Sequence, residues 1–273
     1  MTRPIDRSEG RALFGLNPKA YDAVRPEYPA WIYERLRDSS ALVDGSATLE
    51  IGAGSGLATR HLLEHGADPL IVIEPDARFA PLLESILASS AADCRLIRAS
   101  FEDAQLDHAA FDLVAAASAF HWIEQSAGLR KIFYLLRPGG YVALWWNVFQ
   151  VLGRHDAFHE ATHSLLGQLA RSPSGEAQGI PFALDRLQRE KALGAAGFQD
   201  TQYTESHWTL TLSTVQVGTL YEGFSSIQRL PEDERRRLLE ALMRISDARF
   251  DGRVERHMTT CLYLAATPTI ESA

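Results

Sequence analysis

The chain reads as an α/β protein on three observations. A compact apolar run, Ala47–Ile51, ends abruptly in Gly52, Gly54 and Gly56 and passes into a helical pattern opened by Leu57, Leu62 and Leu63. A second buried run from Leu70 ends in Glu74 and Pro75, and a helical pattern through Phe79, Leu82, Leu83, Ile86 and Leu87 follows it. Further strand-like runs at Cys94–Arg98, Phe111–Ala117 and Tyr141–Trp146 continue the alternation of strand and helix that a parallel sheet requires.

The first of these stretches states the chemistry. A strand that turns through glycines into a helix presents backbone N–H groups beside a positive helix end, and glycine lets a ligand approach with no Cβ in the way. The spacing Gly52-x-Gly54-x-Gly56 brings the third glycine one residue earlier than the dinucleotide fingerprint does. Glu50 stands where a dinucleotide site carries an apolar residue, within reach of a cationic amine. Glu74 lies at about the separation at which an acid reaches ribose hydroxyls. One acid for an amine, one for a ribose and amides for a carboxylate describe S-adenosylmethionine better than NAD.

The segments Glu50-Ile-Gly-Ala-Gly-Ser-Gly56 and Ile71-Val-Ile-Glu-Pro-Asp76 resemble the first two motifs of class I S-adenosylmethionine-dependent methyltransferases. The resemblance implies a Rossmann-like sheet of seven mostly parallel strands, with helices on both faces and a final antiparallel strand inserted at one edge. Tyr21-x-x-x-Arg25-Pro-x-Tyr-Pro29 and the pair His121-Trp122 are similar to the subgroup that includes trans-aconitate methyltransferase (methyltransferase type 11/12). Leu135-Leu-Arg-Pro-Gly-Gly140 and Ala143-Leu-Trp145 extend the likeness.

In chain order, residues 1–40 are expected to form an N-terminal segment whose two closely spaced prolines enforce extended or turning backbone. Either it clasps the domain's edge or it is a lid, with Tyr21 and Arg25 over the cofactor's carboxylate. Residues 41–150 form the cofactor-binding core. Asp76 is a natural N-cap. Ser100 and Phe101 fall on the family segment that grips adenine; many relatives carry an aspartate where this chain has Ser100, and Phe101 either stacks on adenine or packs in the core. Ala117 and Trp122 bracket the exit of the fourth strand, where open α/β sheets hold their ligands. His121, at the same place, is the candidate catalytic residue, as a base or a substrate hydrogen-bonding group. Arg137-Pro-Gly-Gly140 reads as a helix stop. Trp145 and Trp146 point to opposite faces of a regular strand, so at most one faces the pocket.

Residues 151–200 read as an insertion and a helix, with Arg171–Gly179 a loop. His155, His159 and His163 fall on one helical face, and His159-Glu160-x-x-His163 matches the zinc-protease motif, which leaves a zinc hydrolase as a remote alternative. No metal is expected, because the metzincin extension fails at Leu166. Residues 201–273 carry the last two strands and a helical cap, within a single domain overall.

Bulk numbers bound the partners. Of 273 residues, 46% are hydrophobic and 23% charged, ordinary for a globular chain with a sizeable core. The net charge of −8 argues against nucleic acid. Cys94 and Cys261 lack metal-ligand spacing and read as small core hydrophobes. There is no apolar leader and no run long enough to span a bilayer, so a cytoplasmic protein without a membrane partner, monomer or homodimer, is expected. The combined expectation is methyl transfer to a small molecule, favouring O-methylation of a carboxylate or hydroxyl. The alternative is a scaffold of the same fold that binds the cofactor without transferring methyl.

Overall fold

A computed structural model describes residues 3–14, 25–173, 176–177 and 180–269. The chain divides into two compact units, one of residues 1–26, 147–182 and 206–259, the other of residues 27–146, 183–205 and 260–273.

The second unit is built on the sheet. Strands β1 (Ser46–Ile51), β2 (Ala67–Ile73), β3 (Cys94–Ile97), β4 (Phe111–Ala117), β5 (Leu136–Val148), β8 (Gln199–Ser213) and β9 (Arg253–Ala266) form one seven-stranded sheet in the order β3-β2-β1-β4-β5-β9-β8. β6 (Glu176–Ala177) and β7 (Ile180–Pro181) make a separate two-stranded ladder. β1 pairs parallel with β2 and β4, β2 with β3, and β4 with β5. Every residue of β1 is buried, as a central parallel strand covered on both faces must be. The last strand enters between β5 and β8.

Helices fill the connections where the apolar spacing predicts them. α2 (Trp31–Asp38) buries Ile32, Tyr33 and Leu36, and α3 (Leu57–Glu64) follows the glycine turn. α4 (Ala80–Ala88) has proline in its first turn, preceded by a short turn that Asp76 caps by accepting from the Arg78 amide at 3.0 Å. α5 (Gln125–Leu135) is capped by Glu124, whose carboxylate accepts from the Ser126 and Ala127 amides. α7 (Arg186–Ala195) precedes β8.

The first unit is helical around its ends of β8 and β9. It holds α1 (Arg7–Phe14), α6 (Ala157–Leu166), α8 (Thr214–Glu222), α9 (Ser225–Gln228) and α10 (Glu232–Phe250). Its core joins Phe158, Leu212, Val217, Leu220, Tyr221, Ile227, Leu242 and Val254. Glu232, Asp233 and Glu234 occupy the first turn of α10, where the helix dipole favours negative charge. Among the described residues, no helix is long and apolar enough to cross a membrane.

Three expectations need correction. α5 ends at Leu135, just before Arg137-Pro-Gly-Gly140 as the stop signal implies, but that segment already belongs to β5, which starts at Leu136 and not at Tyr141. There Gly139, at φ +78, donates its amide to the Pro268 carbonyl, a conformation that glycine adopts freely. His155 precedes the N-cap Asp156 of α6, so it shares no helical face with His159 and His163. Residues 171–179, read as a loop, contribute β6 to the small ladder.

Candidate functional site

The carboxyl ends of β1, β2 and β4 meet at the point where the strand order reverses, the place where open α/β sheets hold their ligands. All three belong to the second unit.

β1 delivers Glu50, only 1% exposed. Its Oε2 accepts from the Thr59 hydroxyl of α3 at 2.6 Å, while Oε1 is buried with no hydrogen-bond partner. Burial raises the Glu50 carboxyl from 4.5 to about 7; the Thr59 bond opposes this and the neighbouring Glu74 charge adds to it. Such an orphaned acceptor asks for a donor, since leaving it unmade costs the group its hydration.

The glycine turn has two kinds of glycine in it. A Cβ on Gly52 would lie 2.6 Å from the Ala119 Cβ, so the loops that leave β1 and β4 can touch only through glycine, whereas at Gly56 a Cβ would first meet the movable end of Ile86 and the φ of +83 is what favours glycine. Gly54 differs. At φ +55 a Cβ there would meet nothing within 4 Å, which leaves its face open. The amides, expected to await an anion, are spent inside the protein: those of Gly52 and Ala53 go to the Ile73 carbonyl, that of Gly56 to Ala53, and that of Gly54 to Glu74.

Glu74, 7% exposed, follows β2 beside Pro75. Its Oε2 accepts from the Gly54 amide at 2.8 Å and its Oε1 from the Asp76 amide at 2.8 Å. The acid thus braces the turn as well as standing in it.

β4 ends at Ala117, which pairs with Trp145 of β5. Glu50 aligns with Ala115 and Ala115 with Ala143, so Glu50, Ala115, Ala117 and Trp145 share one face of the sheet. Only alanines stand on β4 between the two larger side chains. Trp145 and Tyr33 are fully buried with their centroids 6.1 Å apart, edge to face, and neither the indole N–H nor the Tyr33 hydroxyl finds a partner. Trp146 takes the other face, and its indole N–H donates to His121 Nδ1 at 3.1 Å.

His121 lies in the short turn Phe120–Trp122, is 7% exposed and has its ring 4.9 Å from that of Trp122. The turn is entered through Ser118, a non-glycine residue at φ +51 whose amide donates to the Trp145 carbonyl at 2.7 Å. After β3, the Ser100 hydroxyl donates to Asp103 at 2.6 Å, so a carboxylate stands beside the serine. Phe101 is buried beneath the Lys131 ammonium, 4.9 Å from its ring centre, and Lys131 also donates to the Phe101 and Ala104 carbonyls at 2.6 and 2.7 Å.

Two further candidates are Tyr21 and Arg25. Tyr21 lies outside the described residues. Arg25 belongs to the first unit, where its guanidinium lies 5.7 Å from the centre of the Phe224 ring. On the zinc motif, His155 Nε2 lies 2.8 Å from a Glu160 carboxylate oxygen, and the rings of His159 and His163 are 5.8 Å apart. Among the described residues no three His, Cys, Asp or Glu side chains gather to hold a metal.

Sequence reasoning missed Thr59, Trp146 and Lys131. Thr59 offered a signal: one turn into the helix after the glycines, it can reach back to the strand end. Trp146 offered a weaker one in strand parity, and nothing in the sequence links Lys131 to residue 101.

The residues present fit a cofactor with an ammonium and an adenosyl group. Glu50 supplies an unsatisfied buried acceptor, Gly54 an open backbone face, and Glu74 a carboxylate fixed by the Gly54 and Asp76 amides. Residues 49–144 match a family model described as a methyltransferase domain. An uncharacterised methyltransferase of Schizosaccharomyces pombe is 27% identical over 249 residues, 89% of this chain and 92% of its own. One from Mycobacterium bovis is 31% identical over 134 residues, 49% of this chain and 51% of its own. Among solved structures, Haemonchus contortus phosphoethanolamine N-methyltransferase 2, bound to S-adenosylhomocysteine, has a TM-score of 0.56 at 15% identity, over 93% of this chain and 58% of that one. The cyclase SpnF has a TM-score of 0.62 at 14% identity, over 98% and 100%.

Proposed function

We propose that this chain, a class I S-adenosylmethionine-dependent methyltransferase by its domain and fold, methylates an oxygen of a small molecule, with a carboxylate favoured. The observation that carries the reading is the pair of acids at the ends of β1 and β2, Glu50 with its unmade Oε1 and Glu74 bonded to the amide of the open Gly54. Glu50 Oε1 would take the cofactor's ammonium, and Glu74 with Pro75 its ribose. Gly52, Gly54 and Gly56 would form the cradle, with Ser100, Phe101, Ala117 and Trp122 along the adenosyl side. Tyr21 and Arg25 keep the roles that the sequence resemblance gives them. When bound, the cofactor supplies a methyl group on a positively charged sulfur, so the protein's own task is alignment and exclusion of water.

The substrate class rests on two supports. The overall acidic charge disfavours nucleic acid. The likeness of Tyr21-x-x-x-Arg25-Pro-x-Tyr-Pro29 and His121-Trp122 to the trans-aconitate methyltransferase subgroup points to a polycarboxylate. The phosphoethanolamine enzyme methylates nitrogen, so likeness of fold leaves the acceptor atom open. Incubation with methyl-labelled S-adenosylmethionine and a protein-free metabolite extract tests the reading: label moves into a low-mass product. A scaffold that binds the cofactor without transferring methyl yields none.

A further inference from the structure

Trp146 N–H can only donate, and its partner is His121 Nδ1 at 3.1 Å. An imidazole nitrogen that accepts carries no proton, so in the neutral ring the proton resides on Nε2. Protonating the ring would set two N–H donors against each other within a buried pair. The bond is firmly held at both ends. Trp146 is 3% exposed and edge-on to Tyr263 at 6.1 Å, and the Tyr263 hydroxyl donates to the Ala183 carbonyl at 2.8 Å. The turn that carries His121 is tied to the residue before Trp146, through Ser118 N–H and the Trp145 carbonyl. One strand therefore anchors the loop and fixes the imidazole's proton.

We propose that Trp146 is a positioning residue that holds His121 as the Nε2–H tautomer, a hydrogen-bond donor and not a base, and so commits the site to an acceptor that arrives as an anion. This deepens the small-molecule methyl-transfer reading and its acceptor half rests on it. A carboxylate oxygen forms the new C–O bond as the C–S bond breaks with its electron pair left on sulfur, and no proton departs. A neutral hydroxyl would have to lose its proton to a base, and His121 in this tautomer has no lone pair on Nε2 to receive it. The Nε2–H is suited instead to orient a carboxylate.

Two measurements test the two halves. Two-bond proton–nitrogen spectra of protein labelled with ¹⁵N-histidine, at about pH 7, show His121 Nδ1 unprotonated and Nε2 protonated; Trp146→Phe loses that pattern while S-adenosylmethionine still binds by calorimetry. A wild-type spectrum with Nδ1 protonated, or a Trp146→Phe spectrum identical to wild type, overturns the proposal. If Trp146→Phe does not fold, the wild-type spectrum alone decides. Separately, wild-type protein receives methyl-labelled S-adenosylmethionine with a panel of di- and tricarboxylic acids, or with the corresponding alcohols. Label that mild base releases as methanol from the acids supports the anionic acceptor, and label on the alcohols alone overturns it. Label on neither overturns the acceptor half together with the reading beneath it, whereas the tautomer is judged by the spectrum.

Discussion

The Gly54 amide donates to Glu74 Oε2 across 2.8 Å, which couples the turn after β1 to the end of β2. With the Asp76 amide on the other oxygen, one carboxylate holds two backbone segments in place. Glu74→Ala leaves both amides without that acceptor, at a cost of roughly 1.5–3 kcal/mol for a charged hydrogen bond. Hydrogen exchange at the Gly54 amide is expected to lose protection by about tenfold or more. Unchanged protection there would mean the brace is not what orders the turn.

Glu50 makes stability depend on pH. Burial raises its carboxyl from 4.5 to about 7 in the fold, so between those values the folded state binds more protons than the unfolded one. The contribution of the neutral acid is fully present below pH 4.5 and is lost as pH rises through about 7, a total of about 3 kcal/mol. Glu50→Gln keeps an acceptor for Thr59 and removes the titration. Urea midpoints for the two proteins should agree near pH 4.5 and separate by pH 8, with Glu50→Gln the more stable; parallel curves would refute the shift.

In the first unit, Arg256 is 4% exposed, forms an ion pair with Asp156 at 2.8 Å and donates to the Tyr221 hydroxyl and the Phe149 carbonyl. The Arg256 charge lowers the Asp156 carboxyl against the opposing effect of burial. Arg256→Ala strands the carboxylate and is expected to cost about 3–5 kcal/mol, whereas Arg256→Met with Asp156→Leu removes both charges and costs less. Thermal melts of the single and double variants decide, and a double variant worse than the single contradicts the assignment.

Much of this was legible in the residues. Parallel strands buried on both faces read as continuous apolar runs, which is why β1 and β4 match their expected bounds within a residue, whereas β2 begins three residues before the run at Leu70; the acids at the ends of β1 and β2 stand out because they interrupt such runs. Less was legible where backbone answers backbone. Arg137-Pro-Gly-Gly140 carries the composition of a stop, yet it joins β5 because Phe111 of β4 and the 267–268 segment offer partners that only the fold assembles. The glycine turn is expected from its spacing to meet a ligand, but that its amides close on Ile73, Ala53 and Glu74 depends on β2 lying alongside, information no local pattern holds. The same holds for Trp146 and His121, whose bond joins positions 25 residues apart.

Calorimetric titration of S-adenosylmethionine into wild-type protein and Glu50→Gln at about pH 8, where a carboxylate of folded pKa about 7 is ionised, tests the site most directly. Saturable binding that Glu50→Gln weakens by about 10- to 100-fold is expected, as loss of a charged hydrogen bond to the ammonium requires. Absence of binding by the wild type, or equal affinity in the two proteins, would contradict the assignment of that buried carboxylate to the cofactor.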